Sequence, residues 1–351
     1  MRWIATTAAA FVAVLAFGAL MAGEERERPE AGSRPNPPAG LGAGEALART
    51  IEDLSAAATV RYDVKARDGT RMEALDVVST VLLDRPLYLG VAHRRRAGRF
   101  VTGLFASDDL RSWRHVRDLQ DRASQGALTA LPDGGWLLAV EIDEAGPDGV
   151  RRGHLRFLRY PTDDALAQGR PDWRYDAPRT LSKVAGAFEG TPSLRRITAT
   201  SAEVGFHYLT ADAVDRNARA TLSGIGTAAP RWVARPAPDI DDPLERSGVE
   251  GNIGDRTHVA FRGVPLTLVE GQRRPRDFGS WSVYVLDPAG TDARRLAFRT
   301  PGGSGSFGNA AAGVVPLPGG GRGVLLTAYV FTEGAADGEA GQMLAVFPVD
   351  G

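Results

Sequence analysis

The stretch Phe188-Glu189-Gly190-Thr191-Pro192-Ser193-Leu194 sets a lone acid beside a glycine, in apolar surroundings, at the head of a strand-like run. Three other stretches have the same make-up: Ala123-Ser124-Gln125-Gly126-Ala127, Gly251-Asn252-Ile253-Gly254-Asp255-Arg256 and Ser306-Phe307-Gly308-Asn309-Ala310. Each couples small residues to one polar side chain and opens β-type sequence. Adding a start near Asp76 gives units separated by about 49, 64, 66 and 54 residues. Each interval has room for roughly four strands and their loops, the size of a propeller blade.

The sequence between these points supports that unit. Val77–Leu83, Leu87–Ala92, Phe100–Ala106, Leu137–Ile142, Leu155–Tyr160, Val204–Leu209, Val264–Glu270, Trp281–Asp287, Val324–Phe331 and Met343–Phe347 are apolar or alternating runs of strand length. Pro132-Asp133-Gly134-Gly135 and Pro318-Gly319-Gly320-Gly321 punctuate them, each just before an apolar strand. Long helical stripes are absent. The fold expected is all-β, a five-bladed β-propeller over 59–351. Its last unit reads one strand short, and Thr59–Val64 is expected to supply that strand and close the ring, since an open ring leaves sheet edges unpaired. An eight-stranded barrel is too small for this many strands, a jelly roll does not explain the repeat, and a β-helix needs a shorter period.

Ahead of the propeller, Arg2 and the apolar run Ile4–Ala22 read as an export segment, 1–23, either cleaved or kept as an N-terminal anchor. Residues 24–58 read as a disordered linker rich in Pro, Gly, Glu and Arg, although Leu47, Ile51 and Leu54 stand at near-helical spacing and allow a short helix over Glu45–Ala57. The expected location is secreted or extracytoplasmic.

Composition removes several function classes. The 351 residues contain no cysteine, which excludes disulfides, thiolate nucleophiles, Cys-based metal sites and a lipoprotein anchor carried on cysteine. The five histidines, His93, His115, His154, His207 and His258, never fall at the spacing of a helical zinc site. A formal net charge of −1 gives no argument for nucleic acid or anionic membrane as partner. The Gly-rich run 302–306 has no lysine after it and is no phosphate loop.

In a propeller the starts of the innermost strands meet at one funnel. The polar residues expected there are Glu73 or Asp76, Gln125, Glu189, Asp255 with Arg256, and Asn309. Two carboxylates across a cleft are what glycosidic hydrolysis requires: one donates a proton to the leaving oxygen, the other activates water or attacks the sugar. Phe188, Phe278, Trp281 and Phe307 are the aromatic side chains placed to stack on sugar faces.

Phe188–Leu194 resembles the segment that opens the third blade and carries the general acid in the five-bladed propeller glycoside hydrolases of family 43. Phe105-Ala106-Ser107-Asp108-Asp109-Leu110-Arg111-Ser112-Trp113 is similar to that family's Ser, Asp-Leu and Trp signature at the end of the first blade. The resemblance implies Glu189 as general acid and Asp76 as general base, with Asp255 the other candidate carboxylate. Where the family has a third acid, at the start of blade two, this chain has Ala123-Ser124-Gln125-Gly126. Gln125, Arg256, Asn309, Phe188 and Phe307 would bind an oligo- or polysaccharide. No cofactor is implied, and an axial Ca²⁺ has no ligand motif behind it. The chain is expected to be a monomer. Two other readings stand beside hydrolysis: a propeller that binds a carbohydrate or peptide without cleaving it, and one that docks another exported protein.

Overall fold

The computed structural model describes residues 42–82, 85–145, 151–184, 186–287 and 289–349. The expected export segment, and the linker up to residue 41, lie outside the described residues. Among those described, no helix is long and apolar enough to cross a membrane.

Alternating and apolar runs of strand length pair with their sequence neighbours through short turns, and the result is five four-stranded antiparallel sheets. Blade one is β2 (Glu73–Leu82), β3 (Arg85–Arg96), β4 (Arg99–Ser107) and β5 (Arg114–Asp121). Blade two is β6 (Ala123–Ala130), β7 (Trp136–Ala145), β8 (Arg151–Tyr160) and β9 (Trp173–Asp176). Blade three is β10 (Glu189–Arg195), β11 (Ser201–Leu209), β12 (Asp215–Ser223) and β13 (Arg231–Pro236). Blade four is β14 (Ile253–Phe261), β15 (Val264–Gln272), β16 (Trp281–Leu286) and β17 (Ala293–Arg295). Blade five is β18 (Phe307–Pro316), β19 (Arg322–Val330) and β20 (Gly341–Val349), completed on its outer edge by the early strand β1 (Thr59–Arg61). β1 pairs antiparallel with β20, Val60 opposite Ala345, so the ring closes with a strand from the other end of the chain.

Blades pack face to face, which is why their central strands are apolar on both sides. Leu89, Val91 and Leu104 of blade one meet Leu138, Val140 and Leu158 of blade two. Phe157 of blade two meets Phe206 and Leu222 of blade three. Tyr88, Phe105 and Trp113 of blade one meet Leu325 and Leu344 of blade five. The Ser107–Trp113 signature is a blade-edge turn: Asp109 Oδ1 accepts the Arg111 and Ser112 amides at 2.7 and 2.6 Å, and Trp113 is buried beneath it. The two Pro-Gly turns are the β6–β7 and β18–β19 hairpins, closed alike by Leu131 N to Gly135 O and Leu317 N to Gly321 O.

The chain just before the ring departs from a linker. Residues 43–51 form the helix α1 (Ala43–Ile51), whose Leu47 and Ile51 are wholly buried between blades four and five with Leu268, Val285 and Leu326. The spacing of Leu47, Ile51 and Leu54 is therefore a packing face. Glu52 fixes its end, bonded to the Arg294 guanidinium and the Ala297 amide. Two further helices, α2 (Asp163–Ala167) and α3 (Pro238–Arg246), cover blades two and four.

Candidate functional site at the propeller axis

Each innermost strand carries a β-bulge near its start. The register breaks between Glu73 and Asp76, Ser124 and Gly126, Gly190 and Ser193, Ile253 and Arg256, and Gly308 and Ala311. At four of the five breaks a non-glycine residue takes a left-handed backbone: Ala74, Gln125, Thr191 and Asn309, with φ between 45° and 50°. A bulge bends the strand and turns a side chain out of the alternation. The repeated small-plus-polar stretches in the sequence are these bulges. Their fivefold repetition delivers Asp76, Gln125, Thr191, Asp255 and Asn309 to one axial channel of about 260 Å³. Gln125 and Asn309, from blades two and five, meet across it, with Asn309 Nδ2 3.4 Å from Gln125 Oε1.

Two expected carboxylates face the channel. Burial pushes the Asp76 carboxyl up to about 6, against the amide bonds from Leu128 and Val77. Asp255 is held well above the usual carboxylate range by burial and then by repulsion from Glu270 and Asp76. Arg256 does not neutralise it. That side chain turns into blade three, where it donates to Asn217 Oδ1 at 3.0 Å and Ala218 O at 2.6 Å. Burial lowers its pKa to about 10.

Three further groups were not anticipated from the sequence. Glu270 on β15 is buried; its oxygens accept the Asp255 and Asn309 amides, and burial raises its pKa. Glu141 on β7 accepts the Thr191 amide at 2.9 Å. His207 on β11 lies 2.9 Å from Thr191 Oγ1 and 3.4 Å from Asp215 Oδ1. Burial alone would lower its pKa, but Asp215, Glu141 and Glu270 push it up to about 9. These acids stand in otherwise largely apolar runs, Val264–Glu270 and Leu137–Ile142, and a charge in that place is the signal that would have found them. Among the described residues no group of three His, Asp or Glu side chains is set to hold a metal.

Glu189 is placed differently from Asp76 and Asp255. It is 2% exposed, does not line the channel, and its Oε1 accepts the amides of Thr180, Leu181 and Ser182 at 2.9, 2.7 and 2.9 Å. That oxygen ties down the loop before β10. The four aromatics expected at the funnel also lie off the channel. Phe307 is buried against Phe298, ring centres 5.0 Å apart, in the core that holds α1. Phe188 covers Gly153 of β8, where a methyl group would clash with its ring. Trp281 is buried and stacks on Phe331, whereas Phe278 beside it is 49% exposed.

No family model matches the sequence, and no curated protein matches it. Solved structures do match. The α-L-arabinofuranosidase from Lactobacillus brevis has a TM-score of 0.50 at 9% identity, over 82% of this chain and 95% of that one. An α-L-arabinanase mutant from Cellvibrio cellulosa has a TM-score of 0.49 at 12% identity, over 79% and 91%. A thermostable family-43 glycoside hydrolase has 0.48 at 10%, over 82% and 92%. At such identities the likeness is one of fold alone, and the fold this chain carries is a five-bladed β-propeller.

Proposed function

We propose that this chain is a carbohydrate-active propeller, and that it hydrolyses a glycosidic bond with Asp76 and Asp255. The carrying observation is the pairing at the axis: two carboxyls from blades one and four share one channel, and both are held above their ordinary pKa. Glycoside hydrolysis needs a neutral carboxylic acid beside an ionised one. Asp255, buried and repelled by Glu270 and Asp76, is the group that keeps its proton and gives it to the leaving oxygen. Asp76 is ionised at neutral pH and serves as base or nucleophile. Gln125 and Asn309 supply neutral donors and acceptors for sugar hydroxyls. The fold likeness to an arabinofuranosidase makes pentosides the first substrates to try.

One observation favours binding without cleavage. Glu189, the residue that the family resemblance makes the general acid, has an oxygen engaged by three amides. Docking of another protein has less behind it, because among the described residues the large exposed hydrophobics are Val233 and Phe278, which stand singly.

The test is a panel of aryl pentosides, aryl hexosides and oligosaccharides, offered to the purified chain and to D76N, D255N and E189Q. The proposal expects turnover that falls by about 10²-fold or more in D76N and D255N, and persists in E189Q. Turnover lost only in E189Q would refute the axial pair. Glycan binding with no turnover would establish the binding reading.

A further inference from the structure

A second concavity, of about 190 Å³, lies between blades one and two on the end of the ring where the innermost strands begin. It is lined by Arg95, Arg99, Phe100, Arg122, Ser124 and Asp143. The topology explains its position. β3 ends opposite the start of β2, so the β3–β4 hairpin brings Arg95 to Phe100 to that end, beside the start of β6. The pocket is a short step from the axis. Phe100 packs edge-on against His93, ring centres 4.7 Å apart, and the Gln125 amide donates to His93 Nδ1 at 3.3 Å. Gln125 lines the axial channel.

The charges in this corner do not balance. Asp118 takes up Arg94 and Arg96, and Asp121 takes up Arg99 at 3.2 Å. Arg95 lies over the Phe100 ring, 4.6 Å from its centre, and its charge is felt by Glu73, which is itself bonded to His93. The Arg122 side chain has no hydrogen bond or ion pair among the described residues, and Asp143 has an interaction of its own. Two guanidinium groups, one lying over an aromatic ring, thus face a concavity too small for a chain of sugars and large enough for one sugar unit with its charged substituent. Guanidinium pairs its N–H donors with two oxygens of one anionic group, a planar carboxylate or a tetrahedral oxyanion alike.

We propose that this pocket is a subsite for the anionic group of an acidic sugar, a uronate carboxylate or a sulfate ester, whose chain continues into the axial channel. The inference rests on the carbohydrate reading of the axis and narrows its substrate class. Arg95 and Arg122 take the charged oxygens, and Phe100 and Ser124 flank the sugar that carries them.

The test is calorimetric titration of the intact protein with trigalacturonate and triglucuronate, each against its carboxyl-reduced counterpart, and with galactose 6-sulfate against galactose. The expected result is that at least one acidic ligand binds about tenfold or more tighter than its neutral partner. That preference should be lost in the R95Q/R122Q variant, whose melting temperature stays that of the parent, and should shrink as salt rises. The ligand pair that shows the preference identifies the group as carboxylate or sulfate. Equal affinity within all three pairs, or a preference that survives in R95Q/R122Q, overturns the subsite. Because binding is read without turnover, the two proposals fail separately. Cleavage of neutral glycans with no acidic preference removes only the subsite, and acidic preference with no cleavage removes only the hydrolase.

Discussion

At the scale of single residues, the two kinds of buried acid in this chain do opposite things. Glu189 sits at the mouth of its blade with one oxygen engaged by three amides, and its work is to hold residues 180–182 against β10. Asp255 faces the channel, and its surroundings oppose its charge. Substituting each by its amide should therefore separate stability from chemistry. E189Q, which gives up charge-assisted bonds to backbone, should lose about 1–3 kcal/mol, read as a lower denaturation midpoint. D255N, which no longer has to take up a proton on folding against burial and the charges of Glu270 and Asp76, should be at least as stable as the parent. A destabilised D255N with an unaffected E189Q would reverse the assignment. Gly190 gives a third single-residue test: a Cβ there would lie 2.0 Å from Glu141 Oε2. G190A must push Glu141 off the Thr191 amide and should cost about 1–3 kcal/mol by overpacking.

At the scale of elements, the bulges made the innermost strands legible. A bulge needs a residue able to leave the strand alternation, and the sequence shows it as a polar or small residue amid small neighbours: Gln125 before Gly126, Thr191 after Gly190, Asn309 after Gly308. The same pattern made Glu189 stand out, although at that place it marks the strand start and not the channel. What stayed hidden lies on the second strands. Glu141, His207 and Glu270 stand within or at the end of apolar runs, and only the pairing of β7, β11 and β15 with their inner neighbours brings them against the channel-lining Thr191, Asp255 and Asn309. Phe188 and Phe307 were misread for a related reason, since an aromatic at a strand start packs between blades as readily as it faces a ligand. The helix α1 is the element whose role is easiest to test. Leu47 is wholly buried in the core shared by blades four and five, so L47A should cost about 2–5 kcal/mol. A loss below about 0.5 kcal/mol, measured by denaturant unfolding, would show α1 to be an ornament.

At the scale of the whole molecule, ring closure sets both shape and pH response. Blade boundaries were readable because four of the five innermost strands open on a similar stretch of small residues around one polar side chain, and β1 was readable because the last unit lacked a strand. Truncation through Arg61 removes β1 and α1 together, leaves the β20 edge unpaired, and should give a chain that aggregates instead of melting cooperatively. Closure also crowds ionisable groups of different blades at the axis. His207, pushed up to about 9 from an ordinary 6.5, adds stability that is complete below pH 6.5 and is lost as pH rises through about 9. Asp76, at about 6 against 3.8, keeps a proton in the folded state that the unfolded chain has released, so stability falls as pH rises from about 4 to about 6. The melting temperature should thus decline between pH 6.5 and 9, and H207Q should flatten that decline. An H207Q profile parallel to the parent's would remove His207 from the axial charge network.

The central claim is that acids far apart in sequence, on blades one and four, act on each other at the axis. The most direct measurement is a ¹³C carboxyl titration of Asp255 in the parent and in D76N. The account predicts that removing the Asp76 charge lowers the Asp255 titration midpoint. An Asp255 midpoint identical in the two proteins would contradict it.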